Sequence, residues 1–144
     1  MEISESEYKN IYINRKYESK NKIIYKKSSI HGLGVFAIEK IKEGEIIEVA
    51  PVLVIDKKES QFIDKTVLYH YYFDWGKEKI AIALGYGSLY NHSYRPNSYY
   101  IKNLDNNEII FIALKDIEKN EEITINYNGS PNCCDKLWFE MANN

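Results

Sequence analysis

The stretch from Leu89 to Asn97 reads Leu-Tyr-Asn-His-Ser-Tyr-Arg-Pro-Asn and is the most distinctive part of the sequence. It is polar, rich in turn-forming residues, and follows an apolar run. Taken alone, an Asn-His-Ser triplet is typical of a capped turn whose side chains satisfy local hydrogen bonds. A catalytic Ser/His/Asp arrangement is not supported, because no strand–elbow–helix pattern surrounds Ser93. The function of this stretch can therefore be inferred only together with other segments of the sequence.

Two other segments accompany it, one on either side. The first, His31-Gly32-Leu33-Gly34-Val35-Phe36-Ala37, contains a Gly-x-Gly turn that lets the backbone approach a ligand closely. It lacks the third glycine of a dinucleotide fingerprint and no long helix follows, so a plain β-turn is the alternative. The second reads Glu121-Glu122-Ile123-Thr124-Ile125-Asn126-Tyr127, and its alternative is the acidic start of an edge strand.

Composition and charge exclude several classes of protein. The chain has 144 residues, of which 44% are hydrophobic and 28% charged, so we expect one folded domain. The formal net charge of -2 argues against direct nucleic-acid binding. No apolar run approaches the ~20 residues that a membrane helix needs. The acidic N-terminus does not resemble a signal peptide, so we expect a cytoplasmic protein.

The cysteines and histidines do not predict a metal centre. Cys133 and Cys134 are neighbours, and we expect two free thiols in a reducing compartment, because adjacent cysteines bridge each other only with strain. The three histidines, His31, His70 and His92, are too widely spaced to suggest a cluster. We therefore expect no metal.

Short β-strands dominate the predicted secondary structure. Strands are expected at Ile23–Lys27, Gly34–Ile38, Ile46–Ile55, Ile80–Leu84, Asn97–Lys102, Glu108–Leu114 and Glu122–Tyr127. A helix is expected over Gln61–Phe73, where the apolar residues approximate a helical face. Pro51 marks a break, a bulge or an edge. We divide the chain into an N-terminal arm (1–22), a core (23–129) and a short tail (130–144).

Together, the three segments resemble the SET-domain family of protein lysine methyltransferases, in order and in spacing. The resemblance runs from about Ile23 to Gly129 and is closest to the small stand-alone bacterial and viral members. It implies a mostly β fold of several small curved sheets, with a knot-like C-terminal crossing and one or two short helices. The implied reaction moves a methyl group from S-adenosylmethionine to the amine of a protein lysine, leaving S-adenosylhomocysteine.

The resemblance also implies roles for individual residues. Tyr127 is the expected catalytic residue. Tyr100 and Ile125 are expected at the lysine channel, where an aliphatic Ile125 suits a roomier pocket and multiple methylation. Tyr71 is expected to bind the cofactor, and the alternative is that it packs on the core side of a helix. Trp138 is expected to act as a lid over the cofactor or the channel, and the alternative is that it packs on the core. The expected cofactor-binding residues are Gly32, Leu33, Gly34, Tyr71, Asn91, His92 and Trp138.

Three features depart from the family pattern. Tyr94 stands where many members carry a zinc-binding cysteine, and the tail has only two cysteines, so the tail zinc site is expected to be absent. Asn126 replaces the usual Asp before the catalytic Tyr. The segment from Asp56 to Gly76, which helps to select the peptide in this family, is short. Trp138 with Phe139 is therefore the expected closure of the cofactor pocket.

Function classes other than an enzyme stay open on the sequence. A catalytically silent SET-like module would bind S-adenosylmethionine or a lysine-bearing peptide, although it would not need Tyr127. A chromatin-associated structural protein is disfavoured by the charge. The expected partner is a lysine-containing protein or peptide, with histones among the open candidates. A homodimer is a further expectation, and a viral or secreted origin would place the protein in a host nucleus.

Overall fold

Short strands of β-branched and aromatic residues build most of the structure, as the sequence predicts. The computed structural model describes residues 4–6, 9 and 22–141, so most of the predicted arm lies outside the described residues. No helix in this part of the chain is long and apolar enough to cross a membrane. The strands are β1 (Ile23–Lys27), β2 (Leu33–Ala37), β3 (Ile46–Asp56), β4 (Tyr72–Asp74), β5 (Lys79–Ala83), β6 (Asn91–His92), β7 (Ser98–Asn103), β8 (Glu108–Ala113) and β9 (Glu122–Ile125).

The strands form two sheets. One has the order β1-β2-β9-β6 and the other the order β4-β5-β3-β8-β7. All pairs are antiparallel except β6 and β9, which run parallel with Asn91 opposite Thr124 and His92 opposite Ile125. This parallel pair brings the middle motif beside the last one. The mostly β fold with few short helices is confirmed.

Pro51 lies at the point where β3 changes partner. Residues Ile46–Pro51 pair with β8, whereas Val52–Asp56 pair with β5. Proline has no backbone N–H to donate, and it is tolerated at a position where the strand changes partner. The strand continues through Pro51, and its irregularity lies between Ile46 and Glu48 instead.

The main core is shared by the two sheets. Val35, Ile123 and Ile125 of the first sheet pack in one buried cluster with residues of the second, such as Ile109 and Phe111. The fully buried Tyr90 stacks on Phe111, with ring centroids 4.2 Å apart. The segment just before β6 is thereby anchored in the core.

The helix expected over Gln61–Phe73 is wrong in extent. A 3-10 turn at Lys57–Glu59 precedes the segment, and a short α-helix at Ser60–Ile63 runs into it. A second 3-10 turn at Val67–His70 and the start of strand β4 follow. The expected apolar face has no core to cover, because Phe62 is 65% and Val67 69% exposed. The extended backbone of Thr66 interrupts the segment, and its hydroxyl accepts the N–H of Leu68. Pairing with β5 then overrides helical propensity at β4.

Candidate active site

The middle and last motifs are joined by hydrogen bonds along β6 and β9. Nδ1 of His92 accepts the backbone N–H of Tyr127 at 3.1 Å, and the N–H of Ser93 donates to the carbonyl of Ile125 at 2.9 Å. Just beyond, the side chain of Asn97 accepts the N–H of Thr124 at 2.9 Å. The backbone of Tyr127 is therefore fixed by the Asn-His-Ser segment.

The side chain of Asn91 ties the Gly-x-Gly turn to the same two strands. Its amide nitrogen donates to the carbonyls of His31 (3.0 Å) and Leu33 (3.1 Å) and to Oε1 of Glu122 (2.8 Å). The hydroxyl of Ser28 donates to the same carboxylate at 2.8 Å. All three sequence motifs therefore meet at one buried amide.

The two glycines of the turn are needed for different reasons. Gly32 has a φ of +47°, a left-handed conformation that disfavours side chains, but a Cβ there would meet nothing within 4 Å. At Gly34, a Cβ would stand 2.2 Å from Oε1 of Glu122 and 3.1 Å from the amide nitrogen of Asn91. Gly34 therefore leaves room for the contacts that join the motifs.

An aromatic cavity of about 510 Å³ lies beside this junction. Four of the predicted site residues line it, namely Tyr71, Tyr100, Tyr127 and Trp138. The other lining residues are Tyr69, His70, Tyr72, Phe73, Asp74, Gly87, Ser88, Tyr90, Lys102, Asn128, Gly129, Lys136 and Leu137. Such a volume falls within the range of small-molecule sites.

The remaining predicted site residues do not line this cavity. They are Gly32, Leu33, Gly34, Asn91, His92 and Ile125. Ile125 is buried in β9, with 1% of its surface exposed. Asn91 and His92 support the strand that leads to Tyr127, and their cofactor roles stay predictions.

The hydroxyl of Tyr127 is held in place by a backbone group. It donates to the carbonyl of Tyr90 at 2.7 Å, and its ring stacks on that of Trp138 with centroids 6.1 Å apart. Burial, followed by the fields of Tyr71, Glu122 and Tyr100, raises the pKa of Tyr127 to about 12. At neutral pH this hydroxyl is therefore protonated, and its oxygen can still accept a hydrogen bond.

Tyr100 and Lys102 lie on one face of β7 at the cavity. Burial, with a smaller effect of Asp74, raises the pKa of Tyr100 to about 12. Lys102 donates from Nζ to the carbonyl of Asp74 at 2.7 Å. Burial lowers the pKa of Lys102 even though Asp74 acts in the opposite direction. The cavity wall therefore disfavours a charged ammonium.

Tyr71 and Trp138 approach the cavity from distant parts of the chain. Tyr71 directly follows the 3-10 turn Val67–His70, so the alternative of a helix-core residue is wrong. Trp138 begins the short tail helix Trp138–Met141, and its indole N–H donates to Nδ1 of His70 at 3.3 Å. This contact joins the tail to the wall that carries Tyr71.

His92 is held in its neutral form by burial, which lowers its pKa against the opposing field of Glu140. Because Nδ1 accepts from Tyr127, the ring proton is on Nε2. Among the described residues, Nε2 of His92 is buried without a hydrogen-bond partner.

Two residues that line the cavity, Tyr90 and Lys102, were not predicted from the sequence. Tyr90 offers only the signal of an aromatic residue next to Asn91, and Lys102 offers none, because an isolated lysine on a strand is typical of a surface. Both become apparent only when the strands are assembled. Cys133 and Cys134 are free, and the described residues contain no group of three or more potential metal ligands.

Comparison with known proteins agrees with this geometry. The family model for the SET domain matches residues 32–128. A Schizosaccharomyces pombe histone-lysine N-methyltransferase, H3 lysine-37 specific, is 43% identical over 110 residues, which are 76% of this chain and 71% of that protein. An H3 lysine-4 specific enzyme of Aspergillus oryzae is 29% identical over 79% of this chain, which spans 10% of that longer protein.

Solved structures give the same result. The crystal structure of a Plasmodium falciparum protein assigned as a histone methyltransferase has a TM-score of 0.61 at 37% identity, covering 83% of this chain and 98% of that one. A chain of the Chaetomium thermophilum Polycomb Repressive Complex 2, in a humanized mutant form, has a TM-score of 0.62 at 25% identity, covering 79% and 16%. By motif, fold and similarity, this chain belongs to the SET-domain family.

Proposed function

We propose that this protein is a protein-lysine N-methyltransferase that uses S-adenosylmethionine. The observation that carries the proposal is the position of Tyr127, whose protonated hydroxyl is fixed by the carbonyl of Tyr90 at the wall of an aromatic cavity. The relatives named as histone-lysine methyltransferases support it.

The residues present fit S-adenosylmethionine, which supplies a methyl group on a positively charged sulfonium. Aromatic faces attract such cations, and Tyr71, Tyr127 and Trp138 offer them at one cavity. The Gly32–Gly34 turn, Tyr71, Asn91, His92 and Trp138 are the residues proposed to hold the cofactor. The turn is proposed to contribute through its backbone, which Gly34 allows to lie against Asn91 and Glu122.

The substrate lysine must lose its proton before it can attack, although a free lysine has a pKa of about 10.4. Burial lowers the pKa of the protein's own Lys102 at the cavity wall, which is the direction that the reaction requires. The same desolvation acts on an incoming lysine, and a neighbouring positive charge adds to it.

Tyr127 is proposed to orient the amine rather than to remove its proton. A hydroxyl with a pKa of about 12 is a poor base at neutral pH. Because its proton is directed to the carbonyl of Tyr90, its oxygen lone pairs are available to an N–H of the neutral amine. Methyl transfer would require the nitrogen and the methyl carbon to lie in line and roughly 3–3.5 Å apart, and an oriented amine would favour that approach.

A histone is the first substrate to test, because the named relatives act on histone H3. The experiment incubates the full chain with labelled S-adenosylmethionine and a panel of histones and cell lysates, and maps label by mass spectrometry. We expect labelled lysines that are lost with Tyr127→Phe and kept with Tyr25→Phe, an exposed tyrosine on β1 that does not line the cavity.

The same experiment separates the alternative. Cofactor binding without label on any protein would favour the catalytically silent module. No label and no cofactor binding would overturn the methyltransferase and the cofactor-binding form of the module.

A further inference from the structure

Tyr94 reaches across from the middle motif to the tail. Its hydroxyl donates to the carboxylate of Glu140 and lies 3.2 Å from the carbonyl oxygen of Asp135. Its ring packs edge-to-face with that of His92, with centroids 4.4 Å apart. Tyr94 is therefore attached at one end to the strand pair that holds Tyr127 and at the other end to the tail.

Glu140 links Tyr94 to the residue that precedes the tail helix. The carboxylate oxygen bonded to Tyr94 also accepts the backbone N–H of Leu137 at 3.1 Å. Leu137 is buried, with 4% of its surface exposed, and Trp138 follows it directly. The Tyr94 bond lowers the pKa of Glu140 and raises that of Tyr94, so the pair is carboxylate and neutral hydroxyl at neutral pH.

Two asparagines next to Tyr127 hold the preceding part of the tail. Asn126 donates to the carbonyl of Cys133 at 2.6 Å, and Asn128 donates to the carbonyl of Asp135 at 2.9 Å. These bonds fix the tail as far as residue 135. The orientation of the tail helix beyond it depends on the contacts of Glu140, of Leu137 and of Trp138 itself.

We propose that Tyr94 and Glu140 form a clasp that positions Trp138 against Tyr127 and keeps the tail side of the cavity closed. Tyr94 is a positioning residue, since its hydroxyl acts through Glu140 and Trp138. The consequence for catalysis rests on the proposed function, whereas the clasp itself does not.

The clasp can be tested by the accessibility of Trp138. The chain has two tryptophans, and Trp75 is 4% exposed, so a soluble quencher such as acrylamide reports mainly on the partly buried Trp138. Tyr94→Phe removes the hydroxyl and keeps the ring against His92, and Glu140→Ala removes the acceptor. We expect faster quenching in both variants, and no increase in the double variant beyond that of Glu140→Ala, because Glu140→Ala already removes the bond to Tyr94.

Glu140→Gln and Tyr25→Phe are the matched controls. The glutamine keeps an acceptor oxygen and should restore most of the protection, whereas Tyr25→Phe removes an exposed hydroxyl elsewhere and should change nothing. Near-wild-type thermal unfolding of each variant establishes that it folds. Quenching that is unchanged in Tyr94→Phe and Glu140→Ala would overturn the clasp, whether or not methyl transfer is detected.

Kinetics then test the link to catalysis. Because the clasp is partly exposed, we expect a KM for S-adenosylmethionine raised about twofold to fivefold in Tyr94→Phe, with kcat changed little. A fall in kcat with KM unchanged would contradict the positioning role. An inactive wild-type protein would overturn the proposed function and leave the quenching result to decide the clasp.

Discussion

Nδ1 of His92 accepts the backbone N–H of Tyr127 at 3.1 Å, which joins the middle of one motif to the last residue of another. The bond requires an unprotonated Nδ1, so the structure of the last motif is coupled to the charge of one histidine. The neutral ring is favoured by burial, which lowers the pKa of His92.

The first prediction concerns stability at mildly acidic pH. The folded state binds the His92 proton less well than the unfolded state, whose histidine pKa is about 6.5. The free energy of unfolding should therefore fall as pH drops from about 6.5 towards the lower folded-state pKa, and be unaffected above this window. His92→Asn places an untitratable acceptor near the Nδ1 position, and denaturant unfolding should show a flatter pH dependence than wild type. Equal slopes would contradict the assignment.

The second prediction concerns Tyr127→Phe. Loss of one positioned hydrogen-bonding group typically lowers kcat on the order of 10²-fold. The lost bond to the carbonyl of Tyr90 should cost about 1 kcal/mol of stability. Single-turnover kinetics and thermal unfolding measure the two effects, and cofactor affinity should stay within about threefold of wild type. A variant with the full wild-type rate would remove Tyr127 from the mechanism.

The third prediction compares the two glycines of the turn. In Gly34→Ala the new Cβ would collide with Glu122 and Asn91 and separate the three motifs, at a cost of about 2–4 kcal/mol. In Gly32→Ala there is space for the Cβ and only a left-handed conformation to strain, at about 1 kcal/mol. Urea unfolding of the pair measures the difference, and equal costs would mean that Glu122 and Asn91 rearrange freely.

The fourth prediction concerns alkaline pH. Tyr100 and Tyr127 have folded-state pKa values of about 12, against about 10 in an unfolded chain. Between these values the folded state holds more protons, so its stability should fall as pH rises from about 10 to about 12. Urea unfolding across this range, with tyrosinate absorbance as a second readout, measures the slope. Tyr100→Phe should make the slope shallower, and an unchanged slope would contradict the burial effect.

The fifth prediction concerns the number of methyl groups. The aliphatic Ile125 predicts multiple methylation, and mass spectra under excess cofactor should show di- or trimethyl-lysine. The structure places Ile125 in the core beside the junction rather than at the cavity wall, so this prediction rests on the family resemblance alone. Monomethyl product alone in wild type would contradict the prediction. The domain limits of the protein, its cytoplasmic location and its assembly as a homodimer also stay predictions.

The sequence predicted the strands well and the segment before β4 poorly. The run Glu108–Leu114 carries β-branched residues at positions where the sheet buries them, so local preference and tertiary packing agree. In the segment from Gln61 to Phe73 they disagree. Phe62 and Val67, which suggested a helical face, are exposed, and β4 pairs with β5.

The sequence by itself determined the family, the mostly β fold and the choice of Tyr127 as the candidate catalytic residue, because its three motifs keep their residue types and their order. Tertiary structure alone decided which side chains form the cavity. Tyr71, Lys102 and Trp138 meet there from distant parts of the chain. The hydroxyl of Tyr94 donates to the carboxylate of Glu140, which lies 46 positions later in the sequence. Such contacts arise from strand pairing and chain closure over long separations, which local sequence preferences do not encode.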